Sequence, residues 1–476
     1  MEDNKKEQAI DYRFLARIII EAATPLAVHA GEKVVQTDAI VIRDVNGLPY
    51  IPGSSIAGVI RHAWKDAGND VDELFGFQKN TMLVEKGEPD GMGSRIIFSE
   101  ARILNSQGQV VDGLKPDEIG KDPLLCQYAD LPIRQHVRIN HRGVAADSGK
   151  FDEQVVFVGT RFCFEIEMIG NKSETETFNQ LLAILNQSTF RLGGGSRKGF
   201  GKIAVKEIRS RELSISDKHY LKKSSNMEGS KGWYEKKSHE FDNSNQQYQC
   251  YLLRPEDFFL FGSGFGDDDA DMTPVKEQKV TWTDGKGELT AYEYLIPASS
   301  VKGALAHRTA FHYNQIRTDE QGNPDPFYAD GKTQEEIEAH AGTNNEAVRL
   351  LFGCEGDEKG EGKQRGNVLI SDMFIKTAQD KTLNHVAIDR FTGGAIDGAL
   401  FSEKAAYWHS NDESDYPLRL EILIDEKNID KMDKTKVKEK ALKAFNMALD
   451  DLCNGLLPLG GGVNRGHGIF NGKKCN

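Results

Sequence analysis

The sequence has no long apolar run, so neither a membrane span nor an export leader is expected. Its first residues, MEDNKKEQAIDYRF, carry no apolar leader core, and the first strongly apolar stretch, Ile18–Ile20, is stopped by Glu21 long before a span is complete. A cytoplasmic chain that makes no use of a membrane is expected. Cysteine is sparse and scattered: Cys126, Cys163, Cys250, Cys354, Cys453 and Cys475 form no CxxC pair and no Cys/His cluster at zinc spacing. Neither disulfides nor structural zinc are expected. The Walker nucleotide loop is also missing, because Gly194 and Gly199 have the GxxxxG separation but Phe200 stands where the lysine is required. Positive charge is not in excess either. The formal net charge of −13 excludes a uniformly basic surface, so any nucleic-acid binding must rest on locally concentrated cations.

What the chain does contain is repetition. Charged residues at 28% and hydrophobic ones at 38% describe a compact protein, and 476 residues exceed what one core usually serves. Tyr50-Ile51-Pro52-Gly53-Ser54-Ser55-Ile56-Ala57-Gly58 is answered by Leu295-Ile296-Pro297-Ala298-Ser299-Ser300-Val301-Lys302-Gly303. Leu74-Phe75-Gly76, followed by Ser94–Ser99, is answered by Leu351-Phe352-Gly353, followed by Asn367–Asp372. Leu192-Gly193-Gly194-Gly195-Ser196-Arg197-Lys198-Gly199-Phe200-Gly201 is answered by Leu459-Gly460-Gly461-Gly462-Val463-Asn464-Arg465-Gly466-His467-Gly468. Three matches in one order indicate duplication. The first domain is expected over residues 1–210, a polar linker over 211–247 and the second domain over 248–476, with a surface insertion over 315–346.

In the first copy, strands are expected at Arg13–Ala23, Arg95–Leu104, Phe162–Ile169 and Gly201–Ile208, and helices at Ser55–Ala67 and Glu174–Leu185. The second copy gives strands near Tyr251, Asn367 and Leu418, and helices near Ser300 and over Lys436–Cys453. The fold class is α+β: two tandem ferredoxin-like domains of βαββαβ order. Both Gly-rich segments lie between a helix and a strand, the reverse of a nucleotide-binding loop. Their glycines allow close backbone approach to a phosphodiester, and Arg197, Lys198, Lys202 and Arg465 add cations, although a tight turn alone would also explain the glycines. In the Pro-x-Ser-Ser motifs the serines can cap a helix, with Gly58 and Gly303 admitting a closely packed neighbour.

At these residues the sequence resembles the RAMP superfamily of CRISPR systems, and within it the backbone subunits of type III effector complexes. The resemblance covers nearly the whole chain outside the linker and insertion. It implies a guide (crRNA)-binding protein whose RNA contacts are Ser54, Ser55, Arg61, Gly193, Gly194, Gly195, Arg197 and Lys198 in copy one, and Ser299, Ser300, Lys302, Gly460, Gly461, Gly462 and Arg465 in copy two. It implies projecting thumb hairpins at His136–Gly159 and His385–Tyr407. It further implies metal-dependent cleavage of complementary single-stranded target RNA by a loop aspartate, with Mg2+ or another divalent ion as cofactor and other effector subunits as partners. Asp38 matches that position in copy one, where a bland reading pairs it with Arg43 or a turn. In copy two Asp267, Asp268, Asp269 and Asp271 crowd the loop; Asp271 is chosen as catalytic and metal-binding residue, the other three reading as a solvated acidic loop. Two alternatives remain at this level: a non-catalytic RNA-binding scaffold, and a guide-processing endonuclease using a histidine base.

Overall fold

The computed structural model describes residues 10–31, 37–78, 91–224, 226–227, 235–244, 246–319, 321–354, 362–433 and 437–475. In the first copy the elements are β1 (Tyr12–Ala22), α1 (Gly53–Asp66), β2 (Ile96–Phe98), a hairpin of β3 (Ile133–Ile139) and β4 (Ala145–Gln154), β5 (Arg161–Gly170), α2 (Thr175–Ala183) and β6 (Ile203–Ser214). The second copy repeats this with β7 (Gln247–Pro255), α3 (Ala298–Ile316), β10 (Val368–Ile370), a hairpin of β11 (Gln379–Ile388) and β12 (Ala395–Tyr407), β13 (Leu418–Ile424), α4 (Lys438–Cys453) and β14 (Phe470–Lys474). An extra hairpin, β8 (Val280–Thr283) and β9 (Lys286–Leu289), precedes α3.

The main sheets run β6-β1-β5-β2 and β10-β13-β7-β14, the same antiparallel order in each copy, with the first and last strands as neighbours. This is the tandem ferredoxin-like arrangement expected from the sequence. Along β1 the alternating Phe14, Ala16, Ile18 and Ile20 face Ile56, Ile60 and Trp64 of α1 and Phe178, Leu181 and Leu182 of α2. The intervening Leu15 packs with Leu213 and Tyr220, and Ile19 with Leu104 and Met227. Both faces of β1 are therefore covered, which accounts for its unbroken apolar run. In the second copy Leu420, Ile422 and Ile424 meet Val301 and Leu305 of α3 and Ala441, Phe445 and Leu449 of α4. Among the described residues no helix is long and apolar enough to cross a membrane.

Several local expectations are corrected. Cys250 and Cys475 form a disulfide across 225 residues. Spacing hides this pair because the fold, by placing β14 beside β7, brings them together: the Cys475 amide donates to the Cys250 carbonyl at 2.8 Å. The helices begin at Gly53 and Ala298 after Pro52 and Pro297, and no serine side chain caps them. Proline fixes the entry dihedral, so the serines fall within the first turn. A Cβ on Gly58 or Gly303 would meet nothing within 4 Å, so these glycines admit no tightly packed neighbour and leave the helix surface open. The strand expected over Arg95–Leu104 is divided between Ile96–Phe98 and Arg102–Ile103, both paired to β5. Within residues 211–247, β6 extends to Ser214, and Glu235–Lys236 adds an edge strand to the first sheet.

The copies meet over a charged and an apolar joint. Arg134 on β3, 4% exposed, donates to Glu277 at 2.6 and 2.7 Å and to Asp372 at 2.8 Å, both in the second copy. The other oxygen of Asp372 accepts the Ala298 amide at the start of α3, at 2.7 Å. Burial opposes the Arg134 charge, but the two carboxylates outweigh it and hold the guanidinium firmly protonated. Beside this clamp the β8–β9 hairpin enters the first core: the Trp282 indole donates to the Gly159 carbonyl at 2.8 Å and lies under the Arg161 guanidinium at 4.3 Å. Gly159 has φ of 87°, and a Cβ there would lie 1.9 Å from the Val280 carbonyl oxygen, so only glycine admits the hairpin. Replacing Arg134 with Ala leaves two carboxylates unpaired in a buried joint. The expected loss is about 3–5 kcal/mol of unfolding free energy, measurable by urea denaturation; an unchanged midpoint would show that the clamp does not hold the copies.

Candidate functional site

Each Gly-rich segment forms the same backbone figure. Gly193, Gly195, Gly199 and Gly201 all have positive φ, as do Gly460, Gly462, Gly466 and Gly468. A short 3-10 turn, Ser196–Lys198 or Val463–Arg465, lies between the inner pair. The figure is anchored identically: the Gly194 amide donates to the Ala27 carbonyl and the Gly461 amide to the Leu260 carbonyl, both at 2.7 Å. The loop thus rests on the segment that leaves the first strand of its own copy.

That segment carries the aspartates. The Asp38 amide donates to Asp152 at 2.8 Å while the Asp152 amide donates to Asp38 at 3.2 Å, tying the loop to β4. In copy two the Asp271 amide donates to the Ser402 hydroxyl at 3.1 Å, and the Ser402 amide donates back to Asp271 at 2.7 Å. The next residues, Ala39 and Met272, form equivalent parallel bridges to Glu153 and Glu403. Asp38 and Asp271 are therefore equivalent, and Ala27–Ala39 matches Leu260–Met272 without a gap. The misfit with copy one lies further on, where copy two inserts β8 and β9. Both aspartates are exposed. Hydrogen bonds from the Ser402 amide and hydroxyl hold the Asp271 carboxyl below its ordinary range. Arg43 is not the partner of Asp38, since its guanidinium donates to the carbonyls of Gly47 and Tyr128. Asp267 and Asp269 are engaged by Lys404, at 2.5 and 3.0 Å, and hold their loop rather than merely facing solvent.

Beneath each aspartate lies a buried carboxylate that sequence reading missed. Glu153, 2% exposed, accepts from Lys198 at 2.6 Å and lies 2.8 Å from His136 and 3.6 Å from His29. Glu403, fully buried, accepts from Arg465 at 2.5 Å and lies 2.9 Å from His385 and 3.7 Å from His467. His136 stacks on Phe151 at 4.9 Å and His385 on Phe401 at 4.8 Å, fixing each imidazole. Each cluster pins a thumb hairpin to the Gly-rich loop of its copy. The signal was present as a His-Val start and a Phe-x-Glu return in both thumbs, Phe151-Asp152-Glu153 and Phe401-Ser402-Glu403.

The remaining expected residues divide. Ser54 and Ser300 are exposed, with Ser55 and Ser299 beside them in the first helical turns. Gly193 to Gly195 and Gly460 to Gly462 line the open side of the loops. Arg61 is half-exposed, 3.6 Å from Asp72. Lys198 and Arg465 are committed to the buried glutamates. Lys302 departs most from expectation: only 8% exposed, it donates to the Val368 carbonyl at 2.9 Å rather than facing a ligand. Among the described residues no group of three or more His, Cys, Asp or Glu could hold a metal ion. Asp38 and Asp271 each offer a single loop carboxylate, which suits an ion that takes its other ligands from water and a phosphate-bearing substrate.

Burial alone would raise the Glu153 carboxyl, but hydrogen bonds and charge from His136 and Lys198 bring it down to about 2 from 4.5. Its folded form is therefore favoured above pH 4.5, and that contribution fades as pH falls toward 2. Glu153→Gln is expected to flatten this acid limb in a pH series of thermal unfolding. Glu153→Ala, which strands the His136 and Lys198 side chains, is expected to cost about 3–5 kcal/mol.

No curated protein matches the chain significantly. A family comparison does match it, as RAMP superfamily, over residues 19–204 and 282–471, one segment in each structural copy. The chain belongs to the RAMP superfamily, in two tandem copies, and with that family goes a place among CRISPR-associated RNA-binding proteins.

Proposed function

We propose that this protein is a crRNA-binding backbone subunit of a type III CRISPR effector complex, and that it cuts complementary target RNA at two positions, one opposite Asp38 and one opposite Asp271. The observation that carries this reading is the repeated tie between aspartate loop and thumb, made by different neighbours in each copy, Asp152 and Ser402. Two sequences that have drifted apart converge on one geometry at the residue with chemistry to offer.

The guide lies along the amide-rich figures Gly193–Gly195 and Gly460–Gly462 and the helix starts Ser54–Ser55 and Ser299–Ser300, contacts that position a backbone without reading its bases. The thumbs stand beside the aspartates and distort the guide–target pairing there. At each distortion the carboxylate of Asp38 or Asp271 orients the 2'-hydroxyl and takes its proton as the 2'-oxygen bonds to the adjacent phosphorus and the P–O5' bond breaks, the departing 5'-oxygen taking a proton from water. A divalent ion, when bound, neutralises charge on the phosphate, with Asp38 or Asp271 as its protein ligand. Other effector subunits complete the assembly. A guide-processing nuclease with a histidine base fits less well, because His29, His136, His385 and His467 all face buried glutamates.

The helix starts give the direct test of RNA binding. Ser54→Asp and Ser300→Asp place a negative charge where a phosphate is expected, while suiting the helix dipole and so sparing the fold. Each is expected to weaken binding of a labelled guide by about tenfold, or ~1.4 kcal/mol, with unchanged thermal stability. Guide affinity equal to wild type in both variants would remove these helix starts from the RNA path.

A further inference from the structure

The two copies part company on the sheet face that meets the helix following the thumb. In copy one this face of β1 is apolar and closed, with Phe14, Ala16 and Ile18 fully buried in the first core. Counting back from Ala27 and Leu260, which anchor the two Gly-rich loops, the same positions in copy two are Gln247, Gln249 and Tyr251 of β7. The neighbouring last strand changes with them. Ile18 has the buried Ile208 opposite it, whereas Tyr251 has the exposed Lys474; Ile20 has Val205, and Leu253 has Gly472.

An apolar contact has thus become a polar cleft of about 370 Å³ between β7, β14 and α4, within the size of small-molecule sites, about 300–1,000 Å³. It lies at the start of β7, the end of the strand away from the aspartate loop. Gln249 and Tyr251 line it although only 4% and 6% exposed. The Tyr251 hydroxyl donates to the Gln249 side chain at 3.2 Å, and Gln249 donates to Asn446 of α4 at 3.4 Å. Burial first, then Cys453 and Asp450, pushes Tyr251 up to about 12, so its hydroxyl remains a donor. Burying an amide and a phenol has a desolvation cost that copy one avoids with the same fold, so the fold itself does not call for them.

The lining defines what the cleft can hold. Side-chain amides present a donor and an acceptor side by side, the pattern that meets a purine edge at its exocyclic group and N7. The Asp450 carboxylate adds an acceptor and the Lys474 ammonium a cation at the mouth, and the disulfide between Cys250 and Cys475 ties down the strand end that carries Lys474. A ligand with a hydrogen-bonding ring at one end and an anion at the other satisfies all of them.

We propose that this cleft binds a purine nucleoside monophosphate, free or as the terminal residue of an RNA, with the base toward Asn446 and Asp450 and the phosphate toward Lys474. The inference does not rest on the guide-binding reading, because the cleft shares no residue with the Gly-rich loops, the Ser–Ser helix starts or the aspartate loops.

The test is calorimetric titration of the full chain, freed of nucleic acid, with AMP, UMP, adenosine and inorganic phosphate. Wild type is compared with Asn446→Leu, Lys474→Gln and, as control, Lys427→Gln, all at exposed positions. Wild type is expected to bind AMP, and UMP and phosphate much more weakly. Asn446→Leu, which keeps a good helix former in α4, and Lys474→Gln are each expected to weaken AMP about tenfold. Adenosine affinity is expected to be unchanged by Lys474→Gln, and the control to change nothing. No AMP binding by wild type, or full AMP affinity in both cleft variants, overturns the proposal and leaves the guide-binding reading untouched. UMP or phosphate bound as tightly as AMP removes the purine from the site and overturns it as well. A loss of guide affinity in the cleft variants that parallels the loss of AMP would return the cleft to the guide path, again overturning it. Displacement of AMP by a 5'-phosphorylated adenosine dinucleotide assigns the cleft to an RNA end, and a lack of displacement assigns it to the free nucleotide; either result upholds the site.

Discussion

A carboxylate buried at the root of each thumb is the constraint on which the rest of the site depends. Glu153 and Glu403 are buried polar groups that need partners, and the partners come from separate elements: a thumb histidine, and a cation from the Gly-rich loop. The main chain of the same glutamate bridges to the residue following the aspartate. One residue therefore fixes three parts at once, the hairpin, the Gly-rich loop and the aspartate, and the function drawn from the fold requires those parts to be held in register. The third partner differs between copies: His29 from the aspartate loop in one, His467 from the Gly-rich loop in the other. Such exchange is expected when an interaction is retained and the route to it drifts.

Duplication also gave the chain an internal joint that its two ends do not share. Among the described residues the β8–β9 hairpin has no counterpart in copy one, and it is seated in the first core through Val280 and Trp282. Arg134 has Leu383 at its place in the second thumb, opposite Glu403 as Arg134 is opposite Glu153. Val386, Leu400 and Phe391 of that second thumb are exposed, as Val137, Ile139 and Val144 of the first also are. The halves are thus alike in fold and site but not interchangeable in contacts.

The sequence exposed the duplication, the strand and helix order and the two Gly-rich loops because these depend on local residue patterns and glycine dihedrals. It did not expose features that depend on which strands become neighbours. Cys250 and Cys475 pair only because β7 and β14 are adjacent, and Glu153 and Glu403 find their histidines only across a closed hairpin. Serine favours the cap position, but in the Pro-x-Ser-Ser motifs the preceding proline takes it. Lys302 looked like a ligand for RNA; its place on the inner side of α3, facing Val368, could not be seen without the packing of α3 on β10. Asp271 is one of four crowded aspartates, and what distinguishes it is its hydrogen bonding to Ser402, a residue far along the chain.

The most direct test of two equivalent catalytic halves is to map the cuts in a labelled target RNA on a denaturing gel, using guide-loaded effector complex and magnesium. Wild type, Asp38→Ala, Asp271→Ala and the double variant would be compared, with guide retention measured in each. The account predicts two sites of cleavage in wild type, a different one lost in each single variant, and an intact target with guide still bound in the double variant. Cuts that persist unchanged in the double variant, or a wild-type complex that leaves the paired target whole, would contradict it.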